Sequence, residues 1–354
     1  MSDASIALNR FGRVARAGDA PPGDSPRQAL LRQFERFELL PSAIAAYPRT
    51  PALAAELAAD YAEVQTLARE ARQQGVAREV ATEAARMAAR QQGRDYYTQA
   101  VGVRAQAAVA SETPFVERLV HFWANHFAVS ADKQVMVGLT GGFEFDAIRP
   151  HVLGRFRDML HAVERHPAML LYLDQAQSVG PGSPAGRRAA ELGGPRRLGL
   201  NGNLAREVLE PHTLGVRSVY SQADVTEFAR AMTGWTVAGL GRGQTARQRD
   251  AAGEAGAFAF LPRIHEPGPR TIIGKRYDQQ GERQAAAVLD DLAVHPATAK
   301  HLATKLARHF AGDEPPPSLV GKLETAFLKS AGDLPAVYRA LVGAPEAWTP
   351  QPVR

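Results

Sequence analysis

The sequence predicts a mainly α-helical protein: a multi-helix globular domain with a small β-hairpin near residues 257–278. Three observations carry this. Apolar residues recur at helical spacing, as Leu30, Leu31, Phe34 and Phe37 do ahead of Pro41. The block from Pro51 to Ser111 is built from Ala, Glu, Arg and Gln, side chains that lose little freedom in a helix. One stretch, Ala257–Asp278, alternates like two short strands around the turn residues His265, Glu266, Pro267 and Gly268.

Composition sets the outer limits. At 354 residues, 45% apolar and 22% charged, the chain is long enough and apolar enough to bury a sizeable core. A net charge of +5 is a mild excess, not the basic stripe of a nucleic-acid binder, and no nucleic-acid partner is expected. With no cysteine, disulfides, thiolate metal sites, iron–sulfur clusters and cysteine nucleophiles are excluded. No apolar run reaches the roughly 18 residues of a membrane span. The first residues lack the apolar core of a signal peptide, so the chain as given is expected in the cytoplasm. Removal of a leader would leave the same sequence, so periplasmic or exported placement stays open.

In chain order, residues 1–27 mix Arg, Gly, Pro and Asp and are expected as an N-terminal arm; Ala7–Arg13 within it either docks a partner or straps the terminus down. Residues 28–354 are expected as one large helical domain. A subdivision into 28–180 and 198–354 around a flexible loop at 175–197 is the other organisation. Helices are expected over about 51–73 and 77–110, broken near Gly75. In Ser111–Ser130, Thr113 can cap and Pro114 suits the first helical position. There Phe115, Leu119, Phe122 and His126 form one apolar stripe, so His126 is either a core histidine or a site residue. Glu117, His121 and Asn125 form a polar stripe, whose Glu–His pair suits a surface hydrogen bond or a metal. A helix is expected from Pro150 to Glu164, and a second from Pro167 with Leu170, Leu171 and Leu173 inward. Arg149, His151, Arg155 and Arg157 place positive charge there, for an anion or as a solvated face. The Gly-, Pro- and Ser-rich segment 175–197 fits a flexible lid.

The stretch Leu198–Trp235 holds the densest set of candidate site residues. Asn201 or Asn203 can cap a short helix that carries Arg206, Glu207, Glu210 and His212 and stops at Gly215. Pro211 inside it removes an amide donor from the carbonyl of Glu207, so a kink and exposed backbone oxygens are expected. Carboxylates beside histidine suit a divalent metal, with His126, Glu207 and His212 as the candidate ligands. Glu207, Glu210 and His212 are the candidate catalytic groups, and Asn201, Asn203, Arg206 and His265 the candidate substrate contacts. A polar network that locks the helix, and metal-free acid/base chemistry, remain beside the metal reading. Ser221 and Asp224 make a capping box for a second helix that Gly234 closes.

Beyond an insertion at 236–256, helices are expected at about 280–293, 296–311, 317–330 and 333–343. Lys305 and Arg308 share the second of these with His301 and His309. A face holding a phosphate or carboxylate, or one snorkelling over Leu302, Leu306 and Phe310, both fit. The common nucleotide-binding, serine-hydrolase and zincin motifs are absent.

Taken together, IALNRFG, FWANHFAVS, IRPHVLGRFRDML, HPAMLLYLDQAQS, GLNGNLAREVLEPHTLGV, DVTEFARAMTGW, HEPGPRTIIGKRY and HPATAKHLATKLARHF resemble the bacterial DUF1800 family. The resemblance covers most of the chain in order. It implies a mainly helical fold, frequent export, and a DUF1501-type protein as partner, without naming an activity. The family pattern in the central block is closer to NENxARExxELHTLG. Gly202 stands where it has Glu, and Pro211 where it has Leu, while Glu207, Glu210 and His212 match. The function expected is a metal-assisted hydrolase or oxidoreductase of unknown substrate; the alternative is a non-catalytic helical accessory module.

Overall fold

The computed structural model describes residues 2–14, 25–192, 199–240 and 253–350. It is mainly helical, as the periodicity predicts. Of the segment expected as an N-terminal arm, residues 2–14 are described. The short helix Asp3–Ile6 runs into a π-turn, Ala7–Phe11, that is sunk in the core. Phe11 stacks on Phe310 and Trp348, with ring centroids 5.6 and 4.9 Å away, and meets Phe115 edge-on. Three aromatic partners hold the segment in the manner of a strapped-down terminus, one of the two roles open to Ala7–Arg13.

α1 (Pro26–Arg36) precedes a long hairpin of α2 (Thr50–Gln74) and α3 (Arg78–Ala110). Gly75, at φ 69°, takes the left-handed turn that separates them. α4 (Pro114–His126) buries Phe115, Val116, Leu119, Val120, Phe122 and Trp123. Its N-terminus is capped from outside. Thr113 makes no side-chain cap, and Gln33 of α1 accepts from the Phe115 amide at 2.8 Å. Pro150 opens only a 3-10 turn, Arg149–His151, and Gly154 separates this from α5 (Phe156–Glu164). α6 (Pro167–Tyr172) follows as expected.

Residues 175–192 of the segment expected as a flexible lid are docked on the body. Ser183 caps α7 (Pro184–Glu191), and the Glu266 carboxylate accepts from the Gly182 amide at 2.7 Å. A Cβ on Gly180 or Gly182 would fall 2.6 or 2.9 Å from a Glu266 oxygen, so glycine here permits docking instead of looseness. Residues 193–198 of that segment, and 241–252 of the 236–256 insertion, lie outside the described residues.

α8 (Asn203–Glu207) leads into the π-helix Val208–Leu214, and α9 (Gln222–Met232) follows behind the expected capping box. A small hairpin lies within 257–278 as expected, but its turn, and the partner of the first strand, differ. β1 (Trp235–Val237) takes β2 (Phe258–Phe260) as its antiparallel partner, and β3 (Arg270–Ile272) pairs with β4 (Lys275–Tyr277). The tight turn is Ile273–Gly274, at φ 50° and 72°, and not His265–Gly268. Asp224 accepts from the Ile273 amide at 2.7 Å, so the cap of α9 also holds this turn. α10 (Glu282–Ala293), α11 (Pro296–Ala311), α12 (Pro317–Lys329) and α13 (Leu334–Gly343) complete the fold.

One apolar cluster runs from Ile6 to Trp348, and a small second one joins Val179, Ala185 and Ala238 to residues 259–264. Among the described residues no helix is long and apolar enough to cross a membrane. Within the core, Glu117 does not pair with His121. Its two oxygens accept from Arg149 at 2.7 and 2.8 Å, with both side chains about as buried as the aromatics around them. Arg149 also donates to the carbonyls of Glu38 and Leu39. His121 lies against Arg13 instead. Arg157 is likewise engaged, on Asp290.

Removing one partner of a buried, bidentate pair strands the other charge. Arg149→Met should therefore lower unfolding stability by about 3–5 kcal/mol in urea denaturation, and Glu117→Met/Arg149→Met should recover much of the loss.

Candidate functional site

The site grows from Pro211. A proline has no amide hydrogen, so the Glu207 carbonyl has no i+4 donor and the ladder widens to i+5. Two contacts hold the wider turn. The Gly215 amide donates to Glu210 O at 2.9 Å, and the Thr213 hydroxyl donates to Val208 O at 2.6 Å. Gly215 ends the π-helix at φ 88°, ψ 155°, a conformation closed to other residues.

The wide turn frees two successive carbonyls inside the protein, and each is met by an imidazole. His301 of α11 donates from Nε2 to Pro211 O at 3.1 Å, and His126 of α4 donates from Nε2 to His212 O at 3.1 Å. A carbonyl can only accept, so both rings carry their hydrogen on Nε2. His126 Nδ1 is then an acceptor, and Lys305 Nζ donates to it at 2.7 Å. Burial, with the Lys305 charge second, holds His126 well below the usual histidine range. Burial also lowers His301 and pushes Lys305 down to about 8.

The His212 side chain turns the other way. Its Nδ1 lies 2.8 Å from Glu164 Oε1, at the end of α5, with side chains 4% and 0% exposed. The carboxylate accepts, so Nδ1 carries the hydrogen and Nε2 keeps its lone pair. Nε2 has no partner among the described residues. The second Glu164 oxygen, Oε2, is buried without one. Phe127 packs edge-on against the His212 ring at 5.1 Å.

The expected site residues are thus divided. The structure brings His126 and His212 together, with ring centroids 6.2 Å apart. Glu210 pairs with Arg206 at 3.0 Å, and Arg206 also donates to Gln222. Glu207 is half-buried with no side-chain partner among the described residues. Asn201 Nδ2 donates to Leu173 O at 2.8 Å, and its Oδ1 accepts from the Asn203 amide at 2.9 Å, opening α8. Asn203 itself is exposed. His265 donates from Nδ1 to Thr233 O at 2.8 Å and packs on Phe260. Among the described residues no three His, Asp or Glu side chains gather in a set that could hold a metal ion, so His126, Glu207 and His212 do not form the expected ligand group. The π-turn points His212 inward to Glu164, and both nitrogens of His126 are already engaged.

Two members lie outside the candidate site residues of the central stretch. The sequence places Lys305 only on the basic face of its helix. Glu164 sits i+4 from Leu160 and i+8 from Phe156, a carboxylate on an apolar stripe, and that misplaced charge was the available signal.

Fold and site define a mainly helical protein whose central feature is a buried carboxylate–imidazole pair beside a proline-widened π-turn. The chain belongs to the family described as protein of unknown function DUF1800, whose model matches residues 7–354. No curated protein and no solved structure matches the chain.

Gly215→Ala combines backbone strain with a Cβ 3.0 Å from His301 Nδ1. Thermal denaturation should show a loss of at least about 1–3 kcal/mol. Long-range ¹H–¹⁵N spectra should show the Nε2–H tautomer for His126 and His301 and a hydrogen on Nδ1 of His212; the opposite tautomer at His212 would break the Glu164 pairing.

Proposed function

We propose that the protein is an enzyme that moves protons through His212, oriented by Glu164. The observation that carries this is the pair itself: a buried carboxylate 2.8 Å from Nδ1, leaving Nε2 without a partner among the described residues. A carboxylate in that place fixes the orientation and tautomer of the ring. The same division of labour, with one nitrogen held and the other working, underlies histidine general bases on many folds. The π-turn supports the reading, because such distortions of a helix are frequent at functional sites. Of the hydrolase and oxidoreductase chemistries expected from the sequence, the geometry supports the acid/base part. Glu207 and Glu210 stand on the same helical segment outside the pair, Glu207 half-buried and Glu210 held by Arg206.

The test is a screen of hydrolase, lyase and isomerase substrates followed by substitution. Turnover found in the wild type should fall about 10²–10⁴-fold in His212→Asn and substantially in Glu164→Gln, with folding checked by circular dichroism. Undiminished turnover in a folded His212→Asn variant sinks the proposal. A wild type inert across the screen shifts the weight to an accessory role beside a DUF1501-type protein.

A further inference from the structure

We propose that the seam between α4 and α11 binds a tetrahedral oxyanion, a phosphate or sulfate group, through Lys305, His309 and Arg118. α11 places His301, Lys305 and His309 at i, i+4 and i+8, and α4 places Arg118, Phe122 and His126 at the same spacing, so each set forms one stripe. The stripes meet antiparallel. His126 lies at His301 and Lys305, with ring centroids 6.2 Å apart and Nζ 2.7 Å from Nδ1. One to two turns along, His309 meets Phe122 with ring centroids at 5.4 Å, and Arg118 Nε lies 3.3 Å from His309 Nε2.

Among the described residues no carboxylate pairs with the cations of this seam. α11 contains no Asp or Glu, and the one carboxylate of α4, Glu117, faces Arg149. Neither Lys305 nor Arg118 has a carboxylate partner among the described residues. A partly buried cation normally has a counter-charge or gives up its proton. Lys305 is pushed part of the way, to about 8, by burial. Arg118 is lowered by burial and by Arg13 and Arg10, yet a guanidinium keeps its proton at working pH.

The donor count points the same way. An ammonium has three hydrogens, and Lys305 gives one to His126. Arg118 uses Nε on His309 and Nη1 on the carbonyls of Asn9 and Gly12, leaving Nη2. His309 accepts at Nε2, so its hydrogen is on Nδ1, which has no partner among the described residues. All three side chains are half-buried and reachable from solvent. Burial, with the Arg118 charge second, lowers His309 to about 4, so its ring is a neutral N–H donor one turn (about 5.4 Å) from the Lys305 ammonium, beside the Arg118 guanidinium; two cationic donors and one neutral one match the several acceptor oxygens of a phosphate or sulfate better than a single carboxylate. Through His126, the seam adjoins the carbonyl of His212. The inference therefore extends the proton-transfer reading by naming an anionic substrate class, while binding itself needs no turnover.

The experiment is calorimetric titration of inorganic phosphate, sulfate and methyl phosphate into the full chain. Saturable binding is expected, at least about tenfold weaker in Lys305→Met and nearly unchanged in Lys305→Arg. Lys300→Met, exposed on the same helix, should bind like the wild type. Tighter binding of methyl phosphate than of phosphate assigns the seam to a substrate ester, and the reverse to a free ion. Absence of saturable binding in the wild type, or equal weakening by Lys300→Met, overturns the proposal. Phosphate binding that depends on Lys305, together with turnover indifferent to His212, would leave the oxyanion site standing and remove only the proton-transfer reading.

Discussion

Everything near the centre of this protein depends on what a helix must do when it meets a proline in a dry interior. Pro211 cannot donate, and the carbonyls around it cannot be left bare, because an unpaired buried backbone group costs as much as a lost hydrogen bond. The chain resolves this with a wider turn and with side chains from two other helices. His126 reaches one carbonyl and His301 the next, 3.1 Å in each case. Those two histidines are consequently fixed in tautomer and orientation. Their fixed positions place Lys305, and the turn itself places His212 against Glu164.

The same constraint separates residues that look alike in the sequence. His126 and His212 are both buried histidines next to apolar stripes. One holds backbone with one nitrogen and Lys305 with the other, so it has nothing left to offer a ligand. The other is held at Nδ1 only. Glu210 also differs from Glu164 through context alone: the first is matched by Arg206 one turn away, while the second ends a helix inside the core and finds only a histidine. A buried carboxylate with one oxygen bonded and one bare is an expensive arrangement, and such expense concentrates at functional sites.

The departures from the family pattern have readable surroundings. Gly202 is the N-cap of α8, and a Cβ there would make ordinary contact with Val225 at 3.9 Å, so no backbone crowding demands a glycine at this position. Pro211 is different, since the amide it lacks is part of why the turn is wide. A leucine at that place would restore a donor to the Glu207 carbonyl and compete with the i+5 pattern.

The sequence by itself determined most of the long helices, because their causes are local. Apolar spacing, Gly75, Pro114, the Ser221–Asp224 box and Pro296 act within a turn or two of the residues they organise. It also determined that Pro211 would disturb its helix and release carbonyls. Tertiary structure alone decided who meets those carbonyls and who faces His212. Glu164 is 48 residues from His212, and Lys305 is 179 from His126, separations at which no periodicity links one residue to the other. For the same reason the strands misled. β2 has the alternation of a hairpin arm, but its partner, β1, lies across the insertion, and only packing on the helical body selects that pairing. Local chemistry specifies elements; the partners of a buried polar group are specified by whichever distant side chain the completed core brings within hydrogen-bond reach.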